Sequence, residues 1–193
     1  MCTSSNTSIS QLLRENIRNL KPYSSARDEF EGEASVWLDA NESPVALPGL
    51  LEGVNRYPDP QQRPLKEKLS KLKGVPVSQL FLGNGSDEAV DLLYRCFCNP
   101  GIDNALLFPP TYGMYSVCAD VNDVQTIASN LDSEFNINLE DFKGKQNDRT
   151  KLVFICNPNN PTGNTQSHDT IRAVIEAAKG LSLIHISEPT RPY

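Results

Sequence analysis

The chain has 193 residues, and 18 Lys and Arg against 24 Asp and Glu give a formal net charge of -6. That balance excludes a general nucleic-acid or anionic-membrane binder, which needs a basic face. No stretch approaches the roughly 18 apolar residues of a membrane span, and the polar start MCTSSNTSISQLLRENIRNL lacks the apolar run of a signal peptide.

Residues 8–19 (SISQLLRENIRN) predict a short amphipathic helix, with Ile9, Leu12, Leu13, Ile17 and Leu20 at helical spacing. One short strand is expected at Val36–Leu38, and the stretch from Pro44 to Pro60 is rich in Pro and shows no period. Residues 1–60 read as an arm and linker. The pattern turns regular over residues 61–180. PLKEKLSKLKG predicts a helix opened by Pro64 and closed by Gly74. LFLGNGS reads as an apolar strand entering a glycine turn, and DEAVDLLYRCFC as the helix after it. NALLFPP, VQTIAS and KLVFIC predict strands. TYGMYSVCADV, LEDFKGK and SHDTIRAVIEAAKG predict helices, the last ended by Gly180. Strands alternating with helices imply an α/β fold, with helices covering both faces of a mostly parallel sheet in three α/β/α layers. In such sheets ligands gather at the carboxyl ends of the strands.

Three loops are expected at those ends. In GNGSDE, glycines let a backbone approach a ligand closely, and the first N–H groups of the next helix can hold a phosphate. The Asp87 carboxylate would oppose a phosphate, so backbone donors are expected to do the holding. PPTYGMY offers Tyr112 as a flat face for a planar ring, or as a cover for the core edge. NPNNPTG offers three asparagine amides for a cofactor oxygen, or a turn built of common turn formers. The five cysteines (Cys2, Cys96, Cys98, Cys118 and Cys156) include no pair with a two-residue gap, and the chain has two His. No metal site is expected, and the thiols read as reduced and mostly buried in a cytoplasmic protein.

KPYSSAR (21–27), LDANES (38–43), NRYPDP (55–60), GNGSDEAVDLL (83–93), PPTYGMY (109–115) and CNPNNPTG (156–163) carry a resemblance. In order and spacing they resemble the pyridoxal-phosphate aminotransferases of fold type I, and within them the histidinol-phosphate aminotransferase family. The resemblance covers about residues 9–180. It implies pyridoxal 5'-phosphate as cofactor and a homodimer. It also implies exchange of an amino group between L-histidinol phosphate and 2-oxoglutarate in histidine biosynthesis. By the same resemblance Gly85, Ser86 and Asp87 form the phosphate cup and Tyr112 stacks on the pyridine ring. Asn160 bonds the ring oxygen, and Tyr57 reaches the phosphate of the partner's cofactor. Tyr23 and Asn41 approach the substrate.

The chain also departs from that family. Members run to roughly twice this length, and their Schiff-base lysine, in a Ser-Lys string, is expected after residue 193. No catalytic residue is therefore assigned here, and the chain alone is expected to be inactive. An Asp-Glu-Ala-Tyr string should follow the helix ending at Gly180, its Asp pairing with the pyridine nitrogen. The chain instead reads LSLIHISEPTRPY, with His185 near that slot and unable to supply an anion. Residues 181–193 resemble the translation of a sequencing-library adapter, and the other reading is a genuine strand, LSLIHI, with a turn. Two other functions stay open. One is a sibling aromatic or broad-range aminotransferase or phospho-amino-acid decarboxylase. The other is a non-catalytic phosphate-binding α/β module.

Overall fold

The computed structural model describes residues 8–30, 32, 34–46, 48–49 and 53–178, and the backbone of 182–186. The Gly180 helix stop and the end of the tail lie outside these residues. Two compact units divide the chain, Met1–Leu20 with Gly83–Tyr193, and Lys21–Leu82. In chain order the helices are α1 (Ile9–Leu12), α2 (Glu15–Arg18), α3 (Ala26–Glu29), α4 (Arg63–Lys73), α5 (Ser86–Phe97), α6 (Met114–Val121), α7 (Leu139–Lys145) and α8 (His168–Ala177).

The larger unit holds β1 (Asn104–Leu107), β2 (Gln125–Ala128), β3 (Thr150–Cys156) and β4 (Ser182–Ile186) in one sheet of order β2-β1-β3-β4. Every pairing is parallel. A parallel strand covered on both faces reads as an unbroken apolar run, which is how NALL and KLVFIC look. Alternation then sorts their side chains. Ala105, Leu107, Leu152, Phe154 and Cys156 pack with Val90 and Tyr94 of α5 and with Tyr115, Cys118 and Ala119 of α6. Leu106, Phe108, Val153 and Ile155 pack with Phe142 of α7 and with Val174 and Ala178 beside and within α8. The result is the expected three layers: α5 and α6, the sheet, then α7 and α8.

The chain runs from β1 through α6 to β2, then returns through α7 past β1 to β3. The direction of winding therefore reverses at the β1/β3 boundary. The loop leaving β1 turns toward α6 on one face, and the loop leaving β3 turns toward α8 on the other. Such a switch point opens a crevice at the carboxyl ends of two adjacent strands.

Three expected elements differ. Residues 8–19 form two single turns, because Leu13 is extended (φ -65°, ψ 146°) between α1 and α2. Arg14 there donates its N–H to the Cys96 carbonyl at 2.9 Å and its Nη1 to the Arg95 carbonyl at 2.9 Å. The orphan carbonyls at the end of α5 thus take precedence over helix continuity. Val36–Leu38 forms no strand, and its Trp37 packs under Arg27 instead. LFLG is extended at Leu80 but pairs with no described strand, so GNGSDE follows an unpaired segment.

In the smaller unit, α4 begins with Pro64 in its first turn and ends at Gly74 in the left-handed conformation (φ 68°). Among the described residues, none before Val90 is buried.

Candidate active site

Gly85 stands immediately before α5 at φ 85° and ψ 177°, a region open essentially to glycine alone. A Cβ built there would meet nothing within 4 Å, so the space in front of the helix start is open. Among the described residues, no side chain caps this end of α5. The nearby Glu88 carboxylate turns back to accept from the Asn84 N–H, and the first-turn amides of Ser86 and Asp87 have no partner within the helix, as anion donors must.

Asp87 lies in that first turn, and its side chain reaches the loop after β1. The Tyr112 hydroxyl donates to the Asp87 carboxylate, at 3.0 and 3.3 Å to its two oxygens. Tyr112 also packs edge-on against buried Tyr115, with ring centroids 5.6 Å apart at 85°. Those two contacts fix the plane of the ring.

The loop after β3 is fastened to the same place. Asn159 is 6% exposed. Its Nδ2 donates to the Pro110 carbonyl at 2.8 Å and to Thr162 Oγ1 at 2.7 Å. Its Oδ1 accepts from Thr111 Oγ1 at 3.0 Å. Thr162 in turn donates to Asn164 Oδ1. The backbone closes the turn, with Gly163 N–H on the Asn159 carbonyl at 2.7 Å and Asn159 N–H on the Asn164 carbonyl at 2.8 Å. Asn157 Oδ1 accepts from the N–H of buried Gln166 at 2.9 Å. Asn160, held between these anchors, is exposed, and no described residue engages its side chain.

The structure thus joins Gly85, Ser86, Asp87, Tyr112 and the Asn160 loop into one cluster at the β1/β3 switch point. Tyr23, Asn41 and Tyr57 lie in the smaller unit and are all exposed, Tyr23 at 91% and Tyr57 at 62%. Sequence reading missed Asn159, which is the structural amide of the loop. Its signal was weak, because two adjacent asparagines look alike until burial separates them. Two of the thiols, Cys98 and Cys118, are held protonated. Burial pushes Cys98 up to about 12 and raises Cys118 as well. Cys98 caps the end of α5 rather than continuing the helix.

An open glycine cradle at a helix start, a pinned tyrosine and an exposed amide at a switch point together suit a planar ring carrying a phosphate. The chain matches the family described as aminotransferase class I and II over residues 30–187. It belongs to that family.

Its relatives narrow the likeness. It is 52% identical over 177 residues to the histidinol-phosphate aminotransferase of Bacteroides fragilis, covering 91% of this chain and 50% of that one. To the histidinol-phosphate aminotransferase of Cytophaga hutchinsonii it is 48% identical over 177 residues, covering 92% and 51%. Among solved structures, the histidinol-phosphate aminotransferase from Clostridium acetobutylicum superposes with a TM-score of 0.58 at 28% identity, covering 67% of this chain and 38% of that one. The N-succinyldiaminopimelate aminotransferase from Mycobacterium tuberculosis superposes with a TM-score of 0.62 at 27% identity, covering 70% and 38%. The chain spans about half the length of the curated relatives it matches.

Proposed function

We propose that this chain is the cofactor-phosphate half of an aminotransferase that uses pyridoxal 5'-phosphate. The complete enzyme exchanges an amino group between L-histidinol phosphate and 2-oxoglutarate. The observation that carries the reading is the cluster at the β1/β3 switch point, where the Gly85 cradle, Tyr112 and the Asn160 loop meet. Sequence identity near one half to histidinol-phosphate aminotransferases supports the choice of substrate.

The residues present fit the cofactor. The uncapped start of α5 supplies N–H donors from Ser86 and Asp87 for its phosphate, and the backbone that leads into them at position 85 is one glycine adopts. Tyr112 packs against its ring. Asn160 donates its amide to the ring oxygen while Asn159 holds the loop. When bound, the group supplies an electron sink for amino transfer. This chain's own part is to bind and orient it. The lysine that moves the proton is assigned to sequence beyond residue 193. Tyr57 is assigned to the phosphate of a partner subunit's cofactor, in a homodimer, and Tyr23 and Asn41 to the substrate. We place the protein in the cytoplasm. No helix among the described residues is long and apolar enough to cross a membrane.

The test is an amino-transfer assay on a longer gene product that carries residues 9–180 of this chain and a downstream Ser-Lys string. Glutamate should form from 2-oxoglutarate when L-histidinol phosphate is supplied. Turnover of aromatic amino acids with none of L-histidinol phosphate would move the assignment to a sibling aminotransferase.

A further inference from the structure

The side chain of Glu42 is enclosed, although the residue as a whole is only half-buried. No described residue before Val90 is buried, yet the Glu42 side chain is 4% exposed. Polar groups do the enclosing. Glu42 Oε1 accepts from Arg27 Nη1 at 2.9 Å and from the Tyr57 N–H at 2.7 Å. Its Oε2 accepts from Arg56 Nη1 at 3.0 Å and from Arg27 Nη2 at 3.3 Å. Four donors on two oxygens satisfy a carboxylate's acceptor sites. Arg27 also grips Asp39 in a fork, at 2.8 and 2.7 Å, and stands over the Trp37 ring at 5.1 Å. Phe30 meets Trp37 edge-on at 5.5 Å. Beside the hub, Asn55 Nδ2 donates to the Ser43 carbonyl at 2.8 Å.

Three strings that lie apart in sequence are therefore tied to one carboxylate. The two guanidinium charges of Arg27 and Arg56 are matched by Asp39 and Glu42. Arg56 is committed to Glu42 and is not the cation this segment offers to an anion. What the segment presents is the exposed Tyr57 side chain, on a backbone that Glu42 holds by its N–H.

We propose that Glu42 is a positioning residue. It fixes the backbone at Tyr57, and so the direction in which the phenol leaves the unit toward a phosphate. The choice of phosphate rests on the function proposed above. The positioning itself is tested without any cofactor.

The experiment is residue-resolved hydrogen–deuterium exchange on the whole 193-residue chain and its Glu42→Gln variant. Gln keeps the shape but turns an NH2 group toward two guanidiniums. The Tyr57 amide should exchange at least about tenfold faster in the variant, as a local opening. The Lys66 and Gly74 amides, bonded to the Gln62 and Ser70 carbonyls of α4 and its cap, should stay within about twofold. An acceleration at Tyr57 below tenfold overturns the proposal. So does an equal acceleration at α4, which would make Glu42 a general support of the unit. A chain that shows the expected pattern but never binds pyridoxine 5'-phosphate would retire the cofactor reading alone.

Discussion

Asn159 and Asn160 are neighbours of the same type with opposite assignments. Asn159 is buried and its amide serves three partners, so Asn159→Ala should destabilise the fold. Each buried partner left unpaired costs about 1–3 kcal/mol, and thermal melting should register the loss. Asn160 is exposed, so Asn160→Ala should leave the melting temperature within a degree or so, since surface changes usually stay within about 0.5 kcal/mol. It should weaken binding of pyridoxine 5'-phosphate by roughly tenfold or more, the worth of one good hydrogen bond. If Asn160→Ala lowered the melting temperature and left binding unchanged, Asn160 would be a turn former. Glycine 85 was legible from its string, and so was Tyr112. The Tyr112–Asp87 bond was not, because it joins residues 25 apart through an orientation only the packed α5 and α6 create.

At the level of elements, β3 carries the core. Phe154 is fully buried, stacked on Tyr115 at 4.9 Å and tilted against Tyr94 at 5.4 Å. Phe154→Ala should cost about 3–5 kcal/mol, a large part of the roughly 5–15 kcal/mol that holds a domain. Chemical denaturation should show it as a lower midpoint. A loss under about 1 kcal/mol would mean the site collapses freely and α5 and α6 are loosely packed on the sheet. β1, β3 and all the helices from α4 onward were legible, because apolar runs and Pro, Ser and Gly punctuation are local signals. LFLG and Val36–Leu38 misled for the same reason. A strand needs a neighbour, and neither segment has a described one, while Trp37 finds Arg27 and Phe30 instead. The break between α1 and α2 was equally hidden, since its cause is the distant end of α5.

For the molecule as a whole, carboxylates of both units sit below their ordinary values, Asp91, Asp132 and Asp141 in the larger one, and in the smaller one acid should loosen the Glu42 hub. Hydrogen bonds from Arg27 and then from the Tyr57 N–H hold the Glu42 carboxyl down at about 2, with Arg56 adding to them. The Arg27 fork lowers Asp39, and the Arg63 N–H lowers Asp59. All three sit below their ordinary values, so their contribution is complete above the unfolded values of about 4. It is lost as pH falls from there toward the folded values. Trp37 is the chain's one tryptophan and lies against this hub. Its emission should stay constant above about pH 4.5 and change between about pH 4 and 2. A transition centred near neutral pH would show that the hub does not form.

On the function proposed above, the β1/β3 switch point with the start of α5 is a built phosphate-cofactor half-site. The most direct measurement is calorimetric titration of the 193-residue chain with pyridoxine 5'-phosphate, which has no aldehyde to react with surface lysines, beside pyridoxine as the control. Phosphate-dependent binding at one site per chain is expected, with Gly85→Ala weakening it at least about tenfold, because the alanine cannot hold the glycine-only backbone. Equal affinity for the two ligands, or binding untouched by Gly85→Ala, would contradict the account.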